Sequence, residues 1–189
     1  MRFMPITIFI LAAVSGSSAF GLGGKIHLAK DKGELKALAI GRPRALKINV
    51  EGSGPAGVLT IENGKLRGEI EVDMRSLETG IALRDRHLKE TYIQTKEFPH
   101  AKLQLKGLSL SAKDLKSGFK NRDFAGDLHF HGVKKPITGQ LDLEPGLKMQ
   151  ARFKIRLTDF DVKVPSYLGV TVAETLDVEV KSTARLEEK

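Results

Sequence analysis

The sequence predicts an all-β, antiparallel domain. Three observations lead there. Apolar and polar residues alternate with period two through most of the 189 residues, turn-forming dipeptides separate the alternating runs, and one stretch between Arg75 and Pro99 breaks the pattern. Alternation of this kind places one face of each strand on a core and leaves the other in water.

The runs follow one another in order. Alternation begins within Gly33 to Ile40 and continues through Ala45 to Val50, where Leu46, Ile48 and Val50 share a face opposite Lys47 and Asn49. Gly52-Ser53-Gly54-Pro55 is a turn cluster, and Asn63-Gly64, between Val58–Ile61 and Leu66–Val72, is a tight hairpin turn. From Arg75 to Pro99 the apolar residues Leu77, Ile81, Leu88 and Tyr92 take near-helical spacing, which predicts a short helical connection near residues 76–97. Strands resume at Ala101 to Leu110. Ser111 to Asn121 is polar and reads as a hairpin loop. Phe124, Gly126, Leu128 and Phe130 then face one way, with Ala125, Asp127, His129 and His131 facing the other. Gly132 to Pro136 reads as a turn, Ile137 to Leu143 as a strand, and Pro145-Gly146 as a turn. Leu147 to Leu157 and Thr171 to Ala184 complete the strands, and Glu187 to Lys189 reads as a frayed tail. A sandwich and a closed barrel both satisfy this pattern.

The first residues have a different character. Arg2 precedes an apolar run from Ile6 to Val14, and the small residues Ser15 to Ala19 follow. That order is the pattern of a secretory signal peptide, with cleavage expected after Ala19. The expected organisation is a signal peptide over 1–19 and one β domain over 20–189. The expected location is the periplasm or the exterior.

Composition narrows the function. The chain has no cysteine, which excludes thiol nucleophiles, Cys-ligated zinc and Fe–S clusters. A formal charge of +8 favours anionic surroundings, but Lys and Arg are dispersed rather than gathered in a patch, which argues against nucleic acid. Gly-x-Ser-x-Gly and His-Glu-x-x-His are absent from the sequence, and Gly21 to Gly24 does not follow a strand into a helix. Nothing in the sequence supports an enzyme or a cofactor. The sharpest apparent site is His129-Phe130-His131: residues two apart in a strand share a face and can meet one metal ion. Opposite Leu128 and Phe130, however, they are expected to point outward as ordinary surface histidines, with no metal.

A set of ordered segments is more specific. Leu77-Glu78-Thr79-Gly80, Arg84-Asp85-Arg86-His87-Leu88, Phe98-Pro99-His100-Ala101-Lys102-Leu103, Gly126 to Ile137, Phe160-Asp161-Val162 and Val170-Thr171-Val172-Ala173 occur in that order. Together they resemble the YceI-like family over roughly residues 45–185. The resemblance implies an extended antiparallel, lipocalin-like β-barrel of about eight strands, exported to the periplasm. It suggests a lipophilic ligand of the isoprenoid quinone or polyprenyl phosphate class, held in the barrel interior.

On that reading the inward, apolar faces supply the candidate cavity lining: Leu46, Ile48, Ile70, Val72, Leu103, Leu105, Leu128, Phe130, Leu141, Phe153, Ile155, Val178 and Val180. Arg84, Asp85 and His87 supply a candidate polar mouth, because a guanidinium offers forked donors to phosphate or carbonyl oxygens. The expected function is sequestration or carriage of an isoprenoid-like molecule without covalent chemistry. The alternatives are a stress-related structural or interaction barrel filled by its own side chains, and a His-based metal-assisted hydrolase. The basic surface fits transient contact with membrane head groups, and exposed strand edges leave a homodimer open.

Overall fold

The computed structural model describes residues 23–42, 46–167 and 170–188, and the expected signal peptide over 1–19 lies outside them. The described residues form thirteen strands: β1 (Gly24–Leu28), β2 (Gly33–Arg42), β3 (Lys47–Ser53), β4 (Ala56–Glu62), β5 (Lys65–Asp73), β6 (His100–Ser109), β7 (Phe119–Phe130), β8 (Val133–Glu144), β9 (Lys148–Arg156), β10 (Ser166–Tyr167), β11 (Val170–Val172), β12 (Thr175–Thr183) and β13 (Arg185–Glu188). Two short helices accompany them, α1 (Ala82–His87) and α2 (Ala112–Ser117).

All pairings are antiparallel. Hydrogen-bonded neighbours run β2-β12-β9-β8-β7-β6-β5-β4-β1, and β1 leads into β2 through only four residues, 29–32, that include one 3-10 turn, Lys30–Lys32. The two ends of the curled sheet are thereby tied together. β1 with β2, β3 with β4, and β12 with β13 are each two arms of one bent strand. Counted so, the ring has eight strands, in agreement with the lipocalin-like expectation. The bend rests on a close backbone contact: a Cβ on Gly54 would lie 2.4 Å from the carbonyl carbon of Gly33. Only glycine allows that approach. Gly54 N–H donates to Lys30 O at 3.1 Å and fixes the corner.

The bend also splays β3 away from β5. The segment after β5 covers the gap: Glu51 and Glu78 exchange backbone hydrogen bonds, and Ser76 Oγ accepts from Ser53 N–H at 3.0 Å. A strand edge that would otherwise be open is thus protected. The helical connection expected near residues 76–97 is present as α1 followed by one π turn, Leu88–Tyr92.

Four local expectations need correction. Ser111 to Asn121 is not a plain loop, because α2 forms there behind a capping box of Ser111 and Asp114. The β7–β8 turn is His131-Gly132, both at positive φ (49° and 77°), whereas Val133 to Pro136 already belong to β8. Pro136 is tolerated because this end of β8 pairs with β7 but not with β9. The last long strand is two, β11 on the end of β2 and β12 beside it. Finally, Glu187 is not frayed: β13 pairs with β1, and His27 Nε2 lies 2.6 Å from the Glu187 carboxylate. The run of charges at the tail hid a strand whose only inward apolar residue is Leu186.

The barrel is packed at one end. Ile26, Leu59, Ile61, Leu66, Leu108, Leu110 and Leu143 are buried there, and Leu115 of α2 packs against them. This closed end carries the Asn63-Gly64 turn, whose type I′ geometry (φ 50° and 69°) matches the expectation for that dipeptide.

Candidate functional site

The opposite end is hollow. A cavity of about 610 Å³ lies between the sheet and the segment following β5, within the range of small-molecule sites. Its walls are almost wholly apolar. Ile48, Ile70, Val72, Leu103, Leu128, Phe130, Phe153, Ile155 and Val178 all line it, as do Leu46 and Val180. Leu105 and Leu141 do not. Both face inward and pack on the core, but they lie on the closed-end side of the cavity floor. Period-two alternation assigns a face; it carries no information on depth along the barrel axis.

Sequence reasoning missed the residues that make the hollow. Ala37, Ala39, Ala101 and Ala151 line the cavity where the surrounding inward positions carry Leu, Ile, Val or Phe. A methyl group in place of a branched side chain leaves volume that neighbours do not fill. Small residues on an inward face are the one sequence signal that was available. Met74, Leu77, Tyr92 and Ile93, from the irregular connection, close the side left open by the splayed β3.

The mouth has a polar element. Arg84 and His87 of α1 border the cavity; Asp85 does not. Asp85 instead accepts from the backbone N–H of Thr79 at 2.6 Å and from the Thr79 hydroxyl. Thr79 O in turn accepts from Arg84 Nη2 at 2.8 Å. The Thr79 hydrogen bond, ahead of the opposing effect of burial, holds the Asp85 carboxyl below its ordinary range, so it stays ionised. Asp85 therefore positions Arg84 rather than forming the mouth with it. One donor is left over: Arg84 Nε is buried and has no hydrogen-bond partner among the described residues. A buried unpaired donor is costly and uncommon in folded proteins.

The two histidines separate. His129 is exposed on the outer face, as expected. His131 is not a surface strand residue: it stands at the β7–β8 turn and ties three segments together. Its Nδ1 lies 3.0 Å from Phe160 O, its Nε2 lies 3.0 Å from Gln94 Oε1, and its ring packs on Phe98 at 4.6 Å. Positive φ at the turn turns its side chain away from the face that simple alternation assigns. Among the described residues no group of three or more His, Asp or Glu is placed to hold a metal ion.

A small antiparallel barrel, packed at one end and hollow at the other, belongs to the lipocalin-like class of folds, whose interiors accommodate side chains or one small ligand. Within that class the chain belongs to the YceI-like family: the family model for the YceI-like domain matches residues 29–184. It is 33% identical to a UPF0312 protein of Pseudomonas putida over 59% of this chain and 59% of that one. It is 32% identical to Protein YceI of Escherichia coli over 50% of this chain and 51% of that one. The chain thus spans little more than half the length of the curated relatives it matches. Among solved structures it is similar to a polyisoprenoid binding domain from Saccharophagus degradans implicated in plant cell wall breakdown, with a TM-score of 0.62 and 15% identity, covering 87% of this chain and 98% of that one. It is also similar to Burkholderia cenocepacia BcnA, with a TM-score of 0.60 and 10% identity, covering 82% of this chain and 97% of that one. These likenesses establish the fold.

Proposed function

We propose that this protein is exported to the periplasm and there sequesters or carries an isoprenoid-like lipid. The tail occupies the hollow end of the barrel and the polar head lies at Arg84 and His87. The observation that carries this reading is the apolar cavity itself, with the Arg84 and His87 side chains at its border. Each methylene moved from water into such a wall contributes about 0.8 kcal/mol, so a branched hydrocarbon tail is held without covalent chemistry. The polyisoprenoid binding domain with the same fold supports the ligand class. Arg2, the apolar run of 6–14 and the small residues before Ala19 support export.

The mouth also suits transient contact with a membrane. Of the four exposed large apolar side chains among the described residues, three border the cavity: Leu46, Ile81 and Leu83. The exposed Lys47, next to Leu46, and the exposed Arg86, one turn after Leu83, suit anionic head groups.

Lipid extraction tests the reading. The full chain is expressed in a Gram-negative host, recovered from the periplasm without detergent, extracted with organic solvent and examined by mass spectrometry beside an unrelated exported β-protein. A stoichiometric prenyl lipid in this sample alone is the expected result, together with a mature N-terminus following Ala19. An empty extract combined with no uptake of added prenyl alcohols overturns lipid binding. Retention in the cytoplasm overturns export.

A further inference from the structure

We infer that the cavity is a length gauge. It takes an apolar chain of about four isoprene units, and Phe124 sets the limit. This rests on the lipid-binding reading and adds to it a ligand size class and the residue that determines it.

The volume gives the size. A hydrocarbon carbon occupies a share of space similar to a water molecule, about 30 Å³. The cavity of about 610 Å³ therefore holds about 20 carbons. A chain twice as long needs a barrel hollow along its whole axis, and here the closed end is occupied by Ile26, Leu59, Ile61, Leu66 and Leu108. None of these five borders the cavity.

The geometry identifies what separates the hollow end from the packed one. On the inner face of β7 and β8, Gly126 and Gly139 present bare backbone. Leu103 leans over Gly126, its Cδ1 2.7 Å from where a Cβ would stand. Phe124 leans over Gly139, its Cε1 at 2.7 Å by the same measure. Leu103 and Phe153 line the cavity, but Phe124 does not: it stands behind Phe153, ring edge to ring face at 6.2 Å. Phe124 thus backs the wall residue Phe153 without itself reaching the cavity. Removing its ring leaves the Gly139 backbone uncovered and extends the hollow toward Leu105 and Leu141, the two inward residues that the cavity does not now reach.

Competition against a fluorescent apolar probe, with delipidated protein, tests the gauge. The competitors are geraniol, farnesol, geranylgeraniol, hexaprenol and octaprenol. Affinity is expected to rise about tenfold or more with each added unit up to geranylgeraniol and then to level off, because further units stay in water whether the chain is bound or free. In Phe124→Ala the rise is expected to continue to hexaprenol. Phe124→Leu, a smaller change that serves if the alanine variant melts early, is expected to shift the plateau the same way. A rise in the wild type that continues unbroken to octaprenol overturns the gauge. So does a plateau unmoved in a folded Phe124 variant. Failure of the probe and every prenyl alcohol to bind overturns the lipid-binding reading itself, a distinct outcome.

Discussion

Phe124 and Phe153 meet ring edge to ring face across Gly139, their centroids 6.2 Å apart, and Gly139 pairs with both of them in the sheet. The absent side chain of Gly139 is what lets the rings meet. A Cβ there would lie 2.5 Å from Arg152 O, 2.7 Å from Phe124 and 2.8 Å from Phe153. The floor of the cavity is therefore built on a missing methyl group.

Gly139→Ala is accordingly expected to destabilise the protein by about 1–3 kcal/mol through overpacking. The measurement is the urea midpoint of the variant against the wild type. A midpoint within error of wild type contradicts the packed floor.

Ala151→Phe should do the reverse. Its ring would enter existing space, so stability without ligand is expected to hold or rise while prenyl alcohol affinity falls about tenfold or more. Thermal melting and probe displacement on one preparation separate the two effects. Unchanged affinity in the folded variant counts against the cavity as the binding site.

Asp114 links α2 to β7. It accepts both forks of Arg122, at 2.7 and 3.0 Å, and closes the capping box with Ser111. The Arg122 hydrogen bonds are the main cause holding its carboxyl well below the usual range, against the opposing effect of burial. A carboxyl depressed in the folded state contributes stability in full above its unfolded value, about 3.9, and loses it as pH falls from there toward the folded value. Asp114→Asn is expected to cost about 1–2 kcal/mol at neutral pH. That difference from wild type should shrink below about pH 4. Denaturation at a series of pH values checks both the size and the sign.

His131→Ala removes the contacts to Phe160 O and Gln94 and places alanine at positive φ. A loss of about 1 kcal/mol for each hydrogen bond is expected, with further cost from the turn. His131→Asn, which tolerates that φ better, should melt at a temperature between alanine and wild type. Equal melting of the two variants would assign the whole effect to the ring.

Asp85→Ala should leave the apolar wall intact and loosen Arg84 through Thr79. The expected result is weaker binding of prenyl phosphates with prenyl alcohols unaffected. Equal loss for both ligand types would place the effect in the cavity shape instead of the mouth.

The inward faces were legible residue by residue. Ile70, Val72, Leu128 and Phe153 line the cavity because a period of two fixes the side of a sheet on which a residue lies. Leu105 and Leu141 obey the same period and face the same way, yet they pack below the floor, since their depth depends on how strands stagger around the ring. Thr79 shows another limit. It joins Asp85 to Arg84 through a backbone carbonyl, and such a bond leaves no mark in side-chain patterning. β1 and β13 went unread because they are short: β1 alternates over only five residues, and β13 carries a single apolar residue, Leu186. They persist because each pairs with the other and because β1 also pairs with β4.

By itself the sequence determined an all-β antiparallel chain with a helical interruption, the face each strand buries, and, through ordered segments, its family. These are consequences of local periodicity and turn chemistry, which act over a few residues. Tertiary structure alone decided that one half of the barrel is packed and the other hollow. The volume of that hollow is a difference between the space a curled, bent sheet encloses and the side chains sent into it from many separate strands, and no single segment carries that sum.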